Sequence, residues 1–325
     1  MSGRCLNFEN PIRDSISRIR FAPESNNLLI SSWDSTLRVY DVDSSVTKVE
    51  FPAETPILDC CFQIESVAFS AASDGFIKSY DLHSGTHDNI GKHSDTVTCL
   101  EYSDETCQLI STGWDKKMMS WDTRSASHIG CFETLDAKIE TISIYGLYLM
   151  AASGKSVNIY DLRDLSKSVH TKELCMETRV KCVRPIFSPQ GFVAGSFDGR
   201  VTLQYHYPSN AVDTGYTFRC HPKSKDKKHL LASVNDIVFN PCLNGAFVTG
   251  DNEGYVILWN AQSKRKILEL PRYPNSVASL SYNHKGQLLA VASSHTYQEL
   301  NEIEDTTHIF VVEMDAEIPK EENII

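Results

Sequence analysis

One short pattern returns along the chain at nearly constant intervals, as SSWDSTLRVYD (31–41), AASDGFIKSYD (71–81), STGWDKKMMSWD (111–122) and TGDNEGYVILWN (249–260). Each copy has a turn acid followed six residues later by an aromatic: Asp34 and Tyr40, Asp74 and Tyr80, Asp115 and Trp121, Glu253 and Trp259. ASGKSVNIYD keeps Tyr160 and Asp161 but carries Gly154 at the turn, and GSFDGRVTLQY keeps Asp198 but places Gln204 at the aromatic position. The turn positions 34, 74, 115, 154, 198 and 253 are separated by 40, 41, 39, 44 and 55 residues. A period near 40 describes one supersecondary unit whose apolar surface only a neighbouring copy can cover.

Within each unit the apolar runs are short and alternate with period two: ISRIRF (16–21), ILDCCF (57–62), VTCLEY (97–102) and VNDIVF (234–239). They are too short and too β-branched for helices, and a second strand such as LLISS (28–32) follows before the turn. Asp-Gly or Glu-Gly at 74–75, 198–199 and 253–254 supplies hairpin chemistry. A seventh unit begins at VASLSY (277–282), is interrupted by polar residues 295–308, and closes with IFVVEM. Seven units of several strands each predict an all-β, seven-bladed β-propeller over residues 1–314. The N-terminal RCLNF is expected to join the last blade as its outer strand and close the ring. The acidic DAEIPKEENII (315–325) is expected to be a disordered tail.

The formal charge of −11 opposes broad attraction to nucleic acid or acidic lipid. The balance is uneven, however. Arg179 to Lys228 holds nine Arg and Lys against Asp198, Asp213 and Asp226, a local +6 that leaves −17 elsewhere. The ten cysteines form no C-x-x-C pair, which points to reduced thiols rather than a disulfide frame or zinc site. No apolar run reaches membrane length and the first residues lack a signal core, so a soluble intracellular protein is expected. No G-x-S-x-G elbow or G-x-x-x-x-G-K loop occurs, and no catalysis, cofactor or metal is expected.

In a propeller, Trp33, Trp114 and Phe197, each just before a turn acid, would stand partly exposed on one face, the composition of a binding hot spot. The repeat resembles the WD40 family over nearly the whole chain. That resemblance implies a buried network of turn Asp, His, Ser or Thr, and Trp; here the third blade offers His93, Ser111 or Thr112, Asp115 and Trp121. Asp115 is then an architectural acceptor and Asp122 a strand-end residue, rather than a catalytic acid pair. ISRIRFAP, LDCCF, DGRV, YTFRCH and RYPNSVASLSYNHKGQLLAVASSHTY are similar to the Bub/Rae group within WD40 proteins, and to its spindle-checkpoint branch more than its mRNA-export branch.

The resemblance implies an adaptor, monomeric before partner binding, resident in nucleus and cytoplasm and at the kinetochore in mitosis. Its implied partners are a checkpoint kinase or kinase-like protein carrying an acidic GLEBS segment and a phosphorylated kinetochore scaffold. For the first, Arg179 and Arg200 match the arginines that meet the segment's glutamates, beside Trp33, Trp114 and Phe197. For the second, Arg219 matches the phosphate-contacting position, and Arg20 stands where relatives carry a Lys. Asn240, Pro241 and Cys242 bring no further cation to that site. The alternative implied by the mRNA-export branch is a nucleoporin-binding adaptor that also holds RNA.

Overall fold

The computed structural model describes residues 3–124, 127–134, 137–186, 191–205, 215–220, 232–297 and 306–314. The Lys223–Lys228 stretch and the 315–325 tail lie outside these. The described residues form seven four-stranded antiparallel sheets and no helix. Six sheets use four consecutive strands each. The seventh is built in the order Arg4–Cys5, His308–Glu313, Leu288–Ser293, Val277–Tyr282, so the beginning and end of the ring share one blade.

The innermost strands, in blade order, are Ile16–Phe21, Ile57–Ile64, Val97–Ser103, Thr141–Tyr145, Val180–Pro185, Val234–Phe239 and Val277–Tyr282. Alternation within them buries one set of side chains between adjacent sheets. Between the first two blades, for example, Leu29, Leu37, Phe51, Ile57, Cys60, Ala68 and Tyr80 make one cluster. Ring closure is a core of the same kind: Leu6, Ile16, Ile19 and Leu28 pack on Ala290, Ile309 and Val311. Arg4 pairs with Val311, Cys5 with Phe310, and the Leu6 amide donates to the Ile309 carbonyl at 2.8 Å.

The turn between second and third strands has one backbone solution repeated around the ring. Ser35, Gly75, Lys116, Gly154, Gly199 and Gly254 take positive φ, between 57° and 89°. Only glycine adopts this region without penalty, which explains the Asp-Gly pairs. At Gly199 space matters as well, since a Cβ would lie 2.4 Å from the Ala232 carbonyl oxygen. These turns are tied to the residue entering each blade: Trp33 to Ser15, Trp114 to Thr96, Phe197 to Arg179 and Asn252 to Ser233, amide to carbonyl. The turns and the blade-to-blade connections therefore occupy the same end of the ring, called here the front face.

Facing the channel, the inner strands carry a belt of buried charges. The third residue of an inner strand bonds the amide of the fourth residue of the next blade's inner strand in three places: Asp59 to Leu100 at 2.8 Å, Asp236 to Leu280 at 3.0 Å, and Ser279 to Ile19 at 3.3 Å. Arg18, the third residue of the first inner strand, spans Asp59 at 3.0 Å and Asp236 at 3.4 Å. Arg184 reaches Asp236 at 2.7 Å. Burial would raise the Asp236 carboxyl, but Arg184 and Arg18 outweigh it and hold it below the usual range.

Candidate functional site

The carboxylates flagged by the Trp-Asp pairs are accounted for by structure. In the third blade His93 Nδ1 lies 3.0 Å from Asp115, its Nε2 lies 2.8 Å from the Ser111 hydroxyl, and the Trp121 indole N–H donates to the same hydroxyl at 2.8 Å. Burial acts to raise the Asp115 carboxyl, yet the hydrogen bond and charge of His93 with the Lys117 and Ser94 amides bring it below its ordinary value. Asp122 instead holds the exposed Arg124 at 3.1 Å, at the far end of the third strand. Replacing His93 by alanine removes one partner each from the Ser111 hydroxyl, which keeps Trp121, and from Asp115, which keeps the Lys117 and Ser94 amides. Each lost bond in this buried site costs about 1–3 kcal/mol. H93A is therefore expected to lose about 3 kcal/mol, read as a lowered urea midpoint with unchanged slope.

The other blades vary this network. Tyr80 meets Ser70 at 2.9 Å, and Trp259 donates to Thr249 at 3.0 Å. Thr178 takes the histidine's place in the fifth blade, donating to Asp198 at 3.0 Å, and Arg38 meets Asp34 at 2.8 Å in the first. In the sixth blade the expected turn acid, Glu253, is not the acceptor. The fully buried Asp251 receives the amides of Glu253 and Tyr255 at 3.0 and 2.7 Å, and burial pushes its carboxyl up to about 7.

The front face carries the aromatic residues singled out by the sequence, at alternate blades. Trp33 stands at the first blade, Trp114 at the third and Phe197 at the fifth, each in the second-to-third-strand turn. Trp114 is 53 % exposed, with Lys138 Nζ 4.8 Å from its ring centre. Trp33 is 37 % exposed and packs at 5.2 Å against Tyr297 of the seventh blade. Phe197 is half-buried beneath Arg179 at 4.5 Å and Lys181 at 4.9 Å. Cations above aromatic faces keep both groups at the surface in a fixed arrangement.

Arg200 begins the third strand of the fifth blade, directly after the turn. Its Nε lies 3.1 Å from the buried Asp198, and its Nη2 pairs with Glu177. Arg179, on the connection into that blade, meets Glu140 at 3.1 Å. Arg219 is the cross-strand partner of Arg200 in the outer strand, so the two guanidinium stems share one side of the sheet. Arg219 is exposed, with no ion pair among the described residues. Arg179, Arg200 and Arg219 thus converge with the aromatics at one end of the ring.

Arg20 does not join them. It is the fifth residue of an inner strand that starts at the front face, and at about 3.3 Å per residue the strand carries it to the opposite mouth of the channel. There it pairs with Glu101 and, with Arg184, Pro23, Pro241, Tyr282 and His284, lines a cavity of 330 Å³. The expectation that Arg20 and Arg219 form one phosphate site is corrected on this geometry. His221 and Lys223 lie outside the described residues. Lys138, Lys181 and Tyr297 were not singled out in the sequence; nothing local marks them, since each meets its aromatic partner across a turn or a blade boundary.

A family model for the WD40 repeat (WD domain, G-beta repeat) matches residues 4–41 and 86–122. The chain is 46 % identical over 311 residues to Mitotic checkpoint protein BUB3.3 of Arabidopsis thaliana, covering 96 % of this chain and 99 % of that one. It is 28 % identical over 318 residues to Protein Rae1 of Drosophila melanogaster, covering 93 % and 91 %. Among solved structures, U3-55K superposes with a TM-score of 0.80 at 16 % identity, over 95 % of this chain and 97 % of that one, a likeness of fold.

Proposed function

Because the chain belongs to the Bub3 mitotic checkpoint family of WD40 proteins, we propose that it is a non-catalytic spindle-checkpoint adaptor whose front face grips acidic peptide segments. The first partner is a GLEBS segment of a checkpoint kinase or kinase-like protein, its glutamates meeting Arg179 and Arg200 and its apolar residues seated among Trp33, Trp114 and Phe197. The second is a phosphorylated repeat of a kinetochore scaffold, held at Arg219. Recruitment to the kinetochore in mitosis, from nucleus and cytoplasm, follows from that pair of partners.

The observation that carries the reading is the gathering of exposed indoles and guanidinium groups, distant in sequence, at one end of the ring. A planar guanidinium forks onto carboxylate or phosphate, and such charge-assisted bonds are roughly twice as strong as neutral ones. Phosphorylation adds a charge of about −2 and three acceptors, so it can switch recruitment.

Titration of labelled peptides tests the reading. Arg200→Ala is expected to weaken a GLEBS peptide about tenfold, the loss of one charge-assisted bond. Arg219→Ala is expected to weaken a phosphothreonine repeat to a similar degree, with the fold intact. Both variants binding both peptides like the parent would remove the assignment. The adjacency of Arg200 and Arg219 also suits an RNA phosphate, the export-adaptor alternative, although the charge of −11 opposes it. RNA affinity falling steeply with salt, together with retention of a nucleoporin segment over a kinase segment, would favour that second reading.

A further inference from the structure

The two arginines that meet carboxylates on the front face are already in contact with carboxylates of the chain itself. Arg179 Nη1 meets Glu140 at 3.1 Å, and Arg200 Nη2 meets Glu177. Both glutamates come from blade-to-blade connections, Glu140 just before the fourth blade's inner strand and Glu177 three residues before the fifth's. They differ in how firmly they are held. Glu177 is 65 % exposed, whereas Glu140 is 14 % exposed and its backbone amide is fixed to the Ala152 carbonyl at 2.8 Å.

From this we infer that Glu177 and Glu140 are stand-ins for ligand carboxylates and that they determine which segments the face accepts. This rests on the docking reading above. An exposed ion pair contributes little, so Glu177 yields easily, while Asp198, fully buried, keeps Arg200 aimed at the face after Glu177 leaves. An incoming segment regains the two bonds only if it carries a carboxylate at each guanidinium. A neutral segment cannot, and a basic one meets two guanidinium groups of its own sign whose carboxylates it cannot replace. The stand-ins therefore set a threshold for acidity at two points of the ligand, and they weaken the correct ligand slightly to exclude the wrong ones.

The inference predicts a gain of affinity on removing acids from the protein. In titration of a GLEBS peptide with the full chain, Glu177→Gln is expected to tighten binding about threefold, the size of one exposed pair, and to raise binding of a glutamine-substituted peptide no less. Glu173→Gln is the control: Glu173 is an exposed acid ending the outer strand of the fourth blade, with no ion pair among the described residues. It removes the same charge without touching an arginine and is expected to leave affinity within the error of the titration. Glu177→Gln binding no tighter than the parent would overturn the inference, as would Glu173→Gln tightening equally, which would mark a general field effect. In the free protein, Glu177→Gln should shift the Arg200 Nη2 resonance, the nitrogen that pairs with Glu177, a readout needing no ligand; an unmoved resonance also overturns it. A parent chain that fails to bind the peptide at all instead removes the docking reading itself.

Discussion

Asp236→Ala is expected to be among the most damaging single substitutions, lowering the thermal midpoint by roughly 10 °C. This carboxylate receives five donors: Arg184 at 2.7 Å, Arg18 at 3.4 Å, the Ser279 hydroxyl at 3.2 Å, and the amides of Ile237 and Leu280 at 2.9 and 3.0 Å. Those donors come from the first, fifth, sixth and seventh blades, so one side chain joins the two ends of the ring. Its removal leaves the buried Arg184 without its carboxylate and a buried amide without an acceptor. Breaking a buried pair costs about 3–5 kcal/mol, because the remaining charge is uncompensated. At about 2–4 °C per kcal/mol for a large domain, the midpoint falls by the stated amount. Asp236→Asn, which keeps acceptor capacity but not charge, should lie between parent and alanine variant. The pH dependence has a definite sign. Arg184 and Arg18 depress the folded-state carboxyl, so its stabilisation is complete above the unfolded Asp value near 4 and fades as pH falls through the lower native value. An alanine variant with the parent's midpoint at neutral pH would show that the belt does not hold the ring closed.

The blade count was legible because two local requirements repeat: a turn that demands a left-handed residue, met by glycine at 75, 154, 199 and 254, and an aromatic six residues after an acid. Trp33, Trp114 and Phe197 were readable as neighbours of one face for the same reason, since each immediately precedes such a turn. Glu253 was misassigned because two acids compete there, and only burial shows that Asp251 closes the turn. Arg20 was misplaced because the pattern ISRIRF shows which side of a strand a residue occupies but not which end of the channel it approaches. The charged belt left a signal that periodicity alone passed over: Arg18, Asp59 and Asp236 all occupy the third position of their inner-strand runs. A charge there had to be paired, and its partners, in different blades, could be found only once the ring was closed. The adjacency of Arg200 and Arg219 depends on strand pairing across a connection of uneven length, which no local spacing fixes.

The largest effect on binding is expected at the indoles rather than at the arginines. Trp33→Ala and Trp114→Ala should each weaken a GLEBS peptide about thirtyfold, corresponding to hot-spot losses of about 2 kcal/mol. On the proposed docking, an arginine on this face gives up its internal carboxylate when it takes the ligand's, so only the difference between two pairs reaches the affinity. An exposed indole has no comparable competitor: its ring area is wet in the free protein and dry in the complex, and the transfer contributes fully. Trp114 is the more exposed of the two and lies under Lys138, which would remain to meet a ligand acid. Trp33 rests on Tyr297, so its loss also removes one packing contact of that ring, which keeps Asp14 and His295. Neither is a core residue, and each variant should keep the parent's midpoint within about 2 °C, unlike Asp236→Ala. Peptide titration beside thermal unfolding separates the two kinds of residue. If both tryptophan variants bind within threefold of the parent, the peptide does not cross the centre of the front face, and the contribution of Arg179 and Arg200 would have to come from an edge-on contact at the fifth blade alone.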